Sequence, residues 1–247
     1  MYKNSMVKSI NEHLLALYSS KWASLCEAMR PILDDEDICT KPTNPLLLSI
    51  DEDAYRDADV KFMIFGQETN DWEEQAETKQ TVYAAGFDFV LDLYRGFYNT
   101  GKCYSYGGHF WNGFNRFRAM LGKEHPDAKI CYVLNNIIKI GKLGEKGCPP
   151  DYIYEVERKH FSVIREEIDI LKPDVILFLT GPNYDNKISD VFGDVSYSAL
   201  SPFSERQLAR VSLPDVDVTF RTYHPNFLWR NNIEHYFETI INEISVK

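Results

Sequence analysis

A chain of 247 residues suits one domain, or one domain with an N-terminal extension, and is long enough to bury a full core. Hydrophobic residues make up 44% and aromatics 14%, which excludes intrinsic disorder, and the longest apolar runs (VILFL, FMIF, YVL) are strand-length, too short to span a membrane. A formal charge of −10 argues against a protein that coats nucleic acid non-specifically, because phosphate contacts supply most of such affinity, yet it permits a local basic rim around one pocket.

In chain order, residues 6 to about 30 carry Ile10, Leu14, Leu15, Leu17, Trp22, Leu25 and Met29 at mixed three- and four-residue steps, predicting a helix ended by Pro31 and the acidic run behind it. Residues 31 to 58 read as an irregular arm broken by Pro42 and Pro45. Val60 to Phe65 predicts a buried strand that stops at Gly66. Residues 79 to 98 and 110 to 121 predict helices, the second ending at Gly122. Ile130 to Leu134 predicts a strand, and the apolar set from Ile153 to Leu171 one long amphipathic helix. Lys172-Pro173-Asp174 stops that helix, and Val175 to Leu179 is a continuous apolar strand of the fully covered type. Gly181-Pro182 turns into a short helix. Residues 195 to 213 predict one or two weak strands, Val216 to Thr222 another, and 230 to 245 the closing helix.

Strands alternating with helices imply an α/β fold, a three-layer α/β/α sandwich on a mostly parallel central sheet. Residues 1–57 are expected to pack as a helix and arm on a domain spanning 58–247. The N-terminus lacks the unbroken apolar core and cleavage site of a signal peptide, so a cytoplasmic location is expected. Five cysteines without a CxxC pair predict free thiols and neither a metal site nor a cofactor.

Ligands of parallel sheets bind beyond the carboxyl ends of the strands. Three polar segments follow predicted strands directly: Gly66 to Trp72, Asn135 to Lys142, and Tyr223 to Trp229. In their order and strand context, FMIFGQETNDW, ICYVLNNIIK and FRTYHPNFL resemble the signature motifs of the uracil-DNA glycosylase superfamily. FSVIREEIDILKPDVILFLTG resembles the helix and strand that the family carries between the last two. The resemblance covers roughly residues 58 to 245 and implies a pocket for a base flipped out of DNA, together with hydrolysis of its N-glycosidic bond.

That chemistry builds positive charge on the sugar and negative charge on the departing base, so it needs a carboxylate near the first and a donor aimed at the second. The resemblance implies Glu68 as the activating carboxylate, one methylene longer than the family's Asp, with Asp71 a fallback in the same loop. It implies His224 as the donor to a base carbonyl. Gln67 and Asn136 would read the base, Trp72 would stack on it or wall it, and Tyr83, or else Phe87, would supply the stacking face. Asn135 should face away if its strand continues, because strand side chains alternate. Phe227 and Leu228 stand where the family carries its wedge, Asn226 replaces a phosphate-contacting Ser, and Lys139 would belong to a basic rim with Lys142, Lys146 and Arg230. Thr69 and Asn70 replace the Pro and Tyr that favour uracil in the best-known branch. The expected partner is DNA holding a damaged or deaminated base. The alternative is a module that keeps the fold without catalysis and binds a nucleobase, nucleotide or protein. An unrelated flavodoxin- or Rossmann-like enzyme fits less well, since no Gly-rich phosphate loop follows the first strand.

Overall fold

Apolar side chains on both faces of the central strands demand a layer of helices on each side. The computed structural model, which describes residues 8–72, 83 and 86–245, meets that demand with an α/β architecture. Its helices are α1 (Ile10–Asp34), α2 (Glu52–Arg56), α3 (Phe87–Tyr94), α4 (His109–Glu124), α5 (Asp151–His160), α6 (Ile164–Leu171), α7 (Asp185–Phe192), α8 (Pro225–Leu228) and α9 (Ile233–Asn242). The strands are β1 (Val60–Glu68), β2 (Ile130–Ile138), β3 (Val175–Phe178), β4 (Ser196–Ala199), β5 (Leu208–Ser212) and β6 (Val218–Thr222). They form one six-stranded sheet in the order β2-β1-β3-β6-β5-β4. β2, β1, β3 and β6 are mutually parallel, while β5 and β4 extend the sheet antiparallel.

Alternation along the strands sorts the core into two layers. Phe62, Ile64, Leu134, Leu177 and Phe220 pack with Phe114, Phe117 and Leu121 of α4 and Phe237 and Ile240 of α9. Met63, Phe65, Val133, Ile176 and Phe178 face the opposite way, onto a layer holding Leu14 and Tyr18 of α1, Ile153 of α5, Ile164 and Ile168 of α6 and Ile188 of α7. Leu46, Leu47, Leu48 and Ile50 of the arm are buried in that second layer as well. No described helix is long and apolar enough to cross a membrane.

Several boundaries differ from the sequence-based expectation, each for a physical reason. α1 starts with a capping box: Ser9 Oγ accepts from Glu12 N–H at 3.2 Å and Glu12 returns the bond to Ser9 N–H at 2.7 Å. It runs through Pro31 to Asp34, because Lys41 Nζ donates to the carbonyls of Ile32, Leu33 and Asp35 and closes the last turn. The arm is not wholly irregular, since Asp51 caps the short α2. The helix expected over 79–98 lies partly outside the described residues; α3 begins at Phe87 and passes into a π-helical turn, Arg95–Asn99. The single helix expected over 153–171 is two. Phe161 and Val163 are both buried, and residues two apart cannot share one face of a continuous helix, so the chain breaks there. Neither Gly66 nor Asn135 ends its strand: Gly66 pairs with Asn136 and Glu68 with Ile138, so the polar residues extend the ladder.

Candidate functional site

The parallel pairings bring the C-terminal ends of β1, β2, β3 and β6 to one edge of the sheet. Two glycines allow the close approaches there. A Cβ on Gly66 would collide with the Asn136 side-chain amide and lie 3.3 Å from the Phe110 ring. A Cβ on Gly141 would collide with the Thr69 carbonyl, so the segments leaving β1 and β2 touch backbone to backbone. In either orientation of its amide, Asn136 lies 3.2 Å from Thr69 Oγ1. That hydroxyl donates to the Lys139 carbonyl at 2.7 Å, and the amide orientation that satisfies both ends of Asn136 has Nδ2 donating to the Asn135 carbonyl at 3.0 Å and Oδ1 accepting from the Thr69 N–H at 3.3 Å. Asn136 is thereby oriented by a buried Thr and stays half-buried beside the Gly66 backbone.

Phe110, in the first turn of α4, joins this group to the end of β6. Its ring stacks on His224 with centroids 5.9 Å apart and planes at 28°. Pro225 holds α8 against α4 where Gly113 has no side chain, and a Cβ on Gly113 would strike the Pro225 ring. His224 Nδ1 accepts from the Asn226 backbone N–H at 3.2 Å, so the neutral ring carries its proton on Nε2. Burial, and after it neighbouring His109, push the His224 pKa down from its ordinary value to about 4. The result is a neutral N–H donor next to an aromatic face and a side-chain amide. Such a set can hold a flat, polar heterocycle by stacking and edge hydrogen bonds.

The Glu68 carboxylate is engaged by other partners. Its Oε1 accepts from Gly147 N–H at 2.9 Å and its Oε2 from the Tyr184 hydroxyl at 2.5 Å. Burial, and then Glu68 itself, push the Tyr184 pKa far above that of an ordinary phenol, so the proton in this bond belongs to Tyr184. Gln67 donates to the Thr180 carbonyl at 2.7 Å and so ties β1 to the end of β3. Asp71 lies exposed and accepts from Gly144 N–H at 2.6 Å.

The remaining candidates are placed elsewhere. Lys139, expected on a basic rim, is fully buried: its Nζ donates to Glu167 Oε1 and Oε2 at 2.7 and 3.0 Å and to Asn135 Oδ1 at 2.7 Å. β2 does continue past Asn135, so Asn135 faces this network, away from Asn136, and its amide donates to Glu167 at 2.8 Å. Tyr83 is buried against Trp22 with its hydroxyl on the Thr43 carbonyl, and Phe87 packs on the same Trp22, so neither supplies the stacking face. Trp72 packs between Phe97 and Tyr98. Leu228 is core, not a wedge, because the one-turn α8 directs it inward, while Phe227 is half-buried on Tyr223 with centroids 4.0 Å apart. Asn226 and Arg230 are exposed beside His224, Lys146 is exposed, and Lys142 pairs with Glu145 at 3.2 Å.

Phe110 is the site residue that sequence reasoning missed. It sits behind Gly107-Gly108, the second of which has a positive φ of 111°, a helix-start signal close to the apolar pair Phe110-Trp111. All five cysteines carry free thiols. No protein-family model matches the chain, and no curated protein matches it.

Proposed function

We propose that the edge formed by Asn136, Phe110 and His224 receives a nucleobase flipped out of DNA, and that the protein is a divergent, glycosylase-like hydrolase of the uracil-DNA glycosylase type. The observation that carries the reading is the state of His224, kept neutral with Nε2–H as a free donor next to the Phe110 face. A base breaking away from C1′ gathers negative charge on its carbonyl oxygen, and a neutral donor that strengthens its bond as that charge grows favours the transition state. An imidazolium would instead hand over its proton and lose that graded response. Asn136 offers the second Nδ2 hydrogen and the remaining lone pair of Oδ1 to one base edge, with Thr69 and the Asn135 carbonyl fixing its plane. In the hydrolysis, the C1′–N bond breaks, the oxygen of water bonds to C1′, and the two water protons end on the new hydroxyl and the released base.

Glu68 is the carboxylate of this reaction, positioned by Tyr184 and Gly147, and its role is to orient the water and offset charge on the sugar. The same two bonds favour a second reading. Both carboxylate oxygens are already engaged, which suits a module that binds the base without cleaving it.

One assay separates the two. An oligonucleotide with a single uracil is incubated with the protein and treated with alkali, beside hypoxanthine and plain-thymine controls. Base-specific breaks that vanish in both His224→Ala and Glu68→Gln support hydrolysis. Tight binding of the uracil strand without breaks, lost in His224→Ala, selects the binding module. Neither breaks nor binding with folded protein ends the nucleobase reading.

A further inference from the structure

Away from this edge, a cavity of about 570 Å³ runs along the open side of β2, bordered by Asp51, Asp57, Tyr98, Tyr104 and Arg118. β2 is the outermost strand of the sheet, with β1 its sole strand neighbour among the described residues. Residues alternate in the direction of their backbone groups. The Lys129 carbonyl accepts from Asp59 and Val60 N–H, so the odd-numbered residues address β1. Leu134 addresses the open side, where the Tyr94 hydroxyl donates to its carbonyl at 3.0 Å and accepts from its N–H at 3.3 Å. Ile130 and Tyr132 therefore turn their N–H and C=O groups into the cavity. Tyr94 closes the edge at one end, leaving a two-residue stretch for pairing.

The walls carry opposite charge. Arg118 of α4 lies 3.6 Å over the Tyr104 ring and 5.4 Å from the Tyr132 ring, in the layer of helices α4 and α9. No carboxylate lies within ion-pair distance of it among the described residues, and its Nε is buried without an acceptor. Asp51 and Asp57 border the other wall, on the side of the arm. Asp57 is paired with Lys129 at 3.2 Å, while Asp51 holds the Ala54 N–H and, among the described residues, no cation.

We infer that this groove takes an extended segment of a partner protein, which pairs its backbone with Ile130 and Tyr132 and sets an acidic side chain against Arg118. Side chains of an added strand alternate between the two walls. An acid facing Arg118 therefore fits best with a basic or neutral polar residue at an odd spacing from it, facing Asp51. The net charge of −10 selects against a polyacidic partner, so a single acid per segment is the expected signature. A guanidinium stacked on Tyr104 directs its N–H groups into the plane of the fork; Nη1 gives one to Asn115 Oδ1 at 3.4 Å, the others remain for a carboxylate, and desolvation by the ring strengthens that bond. The inference is independent of the nucleobase reading.

The test uses the full chain and the fluorescein-labelled peptide acetyl-Val-Glu-Val-Thr-Lys-Thr-amide. Fluorescence anisotropy measures affinity, and hydrogen exchange reads the amides of Ile130 and Tyr132. The expected result is saturable binding that protects both amides, weakened about two- to fivefold when the peptide's Glu becomes Gln. Methylating alternate peptide nitrogens should abolish it, and Arg118→Gln should erase the preference for Glu over Gln. Absence of binding, or binding that leaves both amides exchanging as in the free protein, overturns the inference. So does a Glu preference that survives in Arg118→Gln. Protection that grows with protein concentration alone, with dimers by sedimentation, would assign the edge to a second copy of this chain and overturn it equally.

Discussion

Replacing Lys139 by Met should destabilise the protein without touching its surface. The Lys139 and Glu167 side chains are 1% and 0% exposed. The ammonium gives its three hydrogen bonds to the two Glu167 oxygens and to Asn135, while Tyr18 donates a further bond to Glu167 at 2.6 Å. Burial holds the Lys139 pKa below its ordinary value, with Glu167 pulling the other way, so the pair survives through mutual compensation. Lys139→Met leaves an uncompensated carboxylate in the core, a loss of about 3–5 kcal/mol. For a chain of this size that lowers the thermal midpoint by roughly 6–20 °C. Urea unfolding at pH 7 measures it. The double variant Lys139→Met/Glu167→Gln should recover at least half, because Gln still accepts from Tyr18 and can donate to the Asn135 oxygen released by the lysine. A loss under about 1 kcal/mol, or a double variant no better than the single, would refute the assignment of Lys139 to the core.

Gly66→Ala should abolish retention of a uracil-containing strand while lowering stability by only about 1–3 kcal/mol, since the new methyl displaces the Asn136 amide and crowds Phe110; anisotropy and urea midpoints check the two parts. By NMR, His224 should stay neutral, with its proton on Nε2, at every pH above 5. Its depressed pKa contributes stability that is present above the unfolded value near 6.5 and lost as pH falls toward about 4, and His109→Gln should shift its midpoint upward. Glu157 behaves oppositely. Burial raises its carboxyl to about 7 against the lowering effect of the Lys139 and Ile140 N–H groups, so its contribution is greatest below the unfolded value near 4.3 and declines as pH rises to 7. The Glu157 contribution should fall by on the order of 3 kcal/mol across that window, against the rise that His224 contributes, so stability in Glu157→Gln should climb more steeply with pH than in the wild type.

How much of this was legible in the sequence follows from the range of each signal. Strand identity was, because four or more apolar residues in a row, or strict alternation, between turn residues are local patterns; the runs at Phe62, Ile130 and Val175 and the alternating stretch from Val216 all appear in parallel strands. The meeting of Gly66 and Asn136 and the approach of His224 were legible as the ends of those strands. The fate of Lys139 was not. Its partner lies 28 residues away on α6, and a lysine next to a polar strand end has the same local signature on a rim or in a core. Phe110 was hidden among many aromatics, since α4 alone carries Phe110, Trp111, Phe114 and Phe117, and the sheet packing decides which of them faces the site. The locking of Glu68 by Tyr184 spans 116 residues and has no local trace either.

The buried network around Glu167 also sets how the molecule opens. Tyr18 reaches Glu167 from α1 and accepts from Leu48 N–H of the arm at 3.0 Å, while Lys139 and Asn135 reach it from the strand that presents Asn136. Lifting α1 away would cost Glu167 the Tyr18 hydroxyl and the Leu48 N–H its acceptor and would uncover the apolar layer beneath, so α1 opens with the core and not as an independent unit. Its central amides should exchange with deuterium only when the whole chain unfolds, at the same rate as the β2 amides that pair with β1. Breathing near the recognition edge is then confined to segments outside that cooperative unit, and the strand that carries Asn136 inherits the slowest clock in the protein.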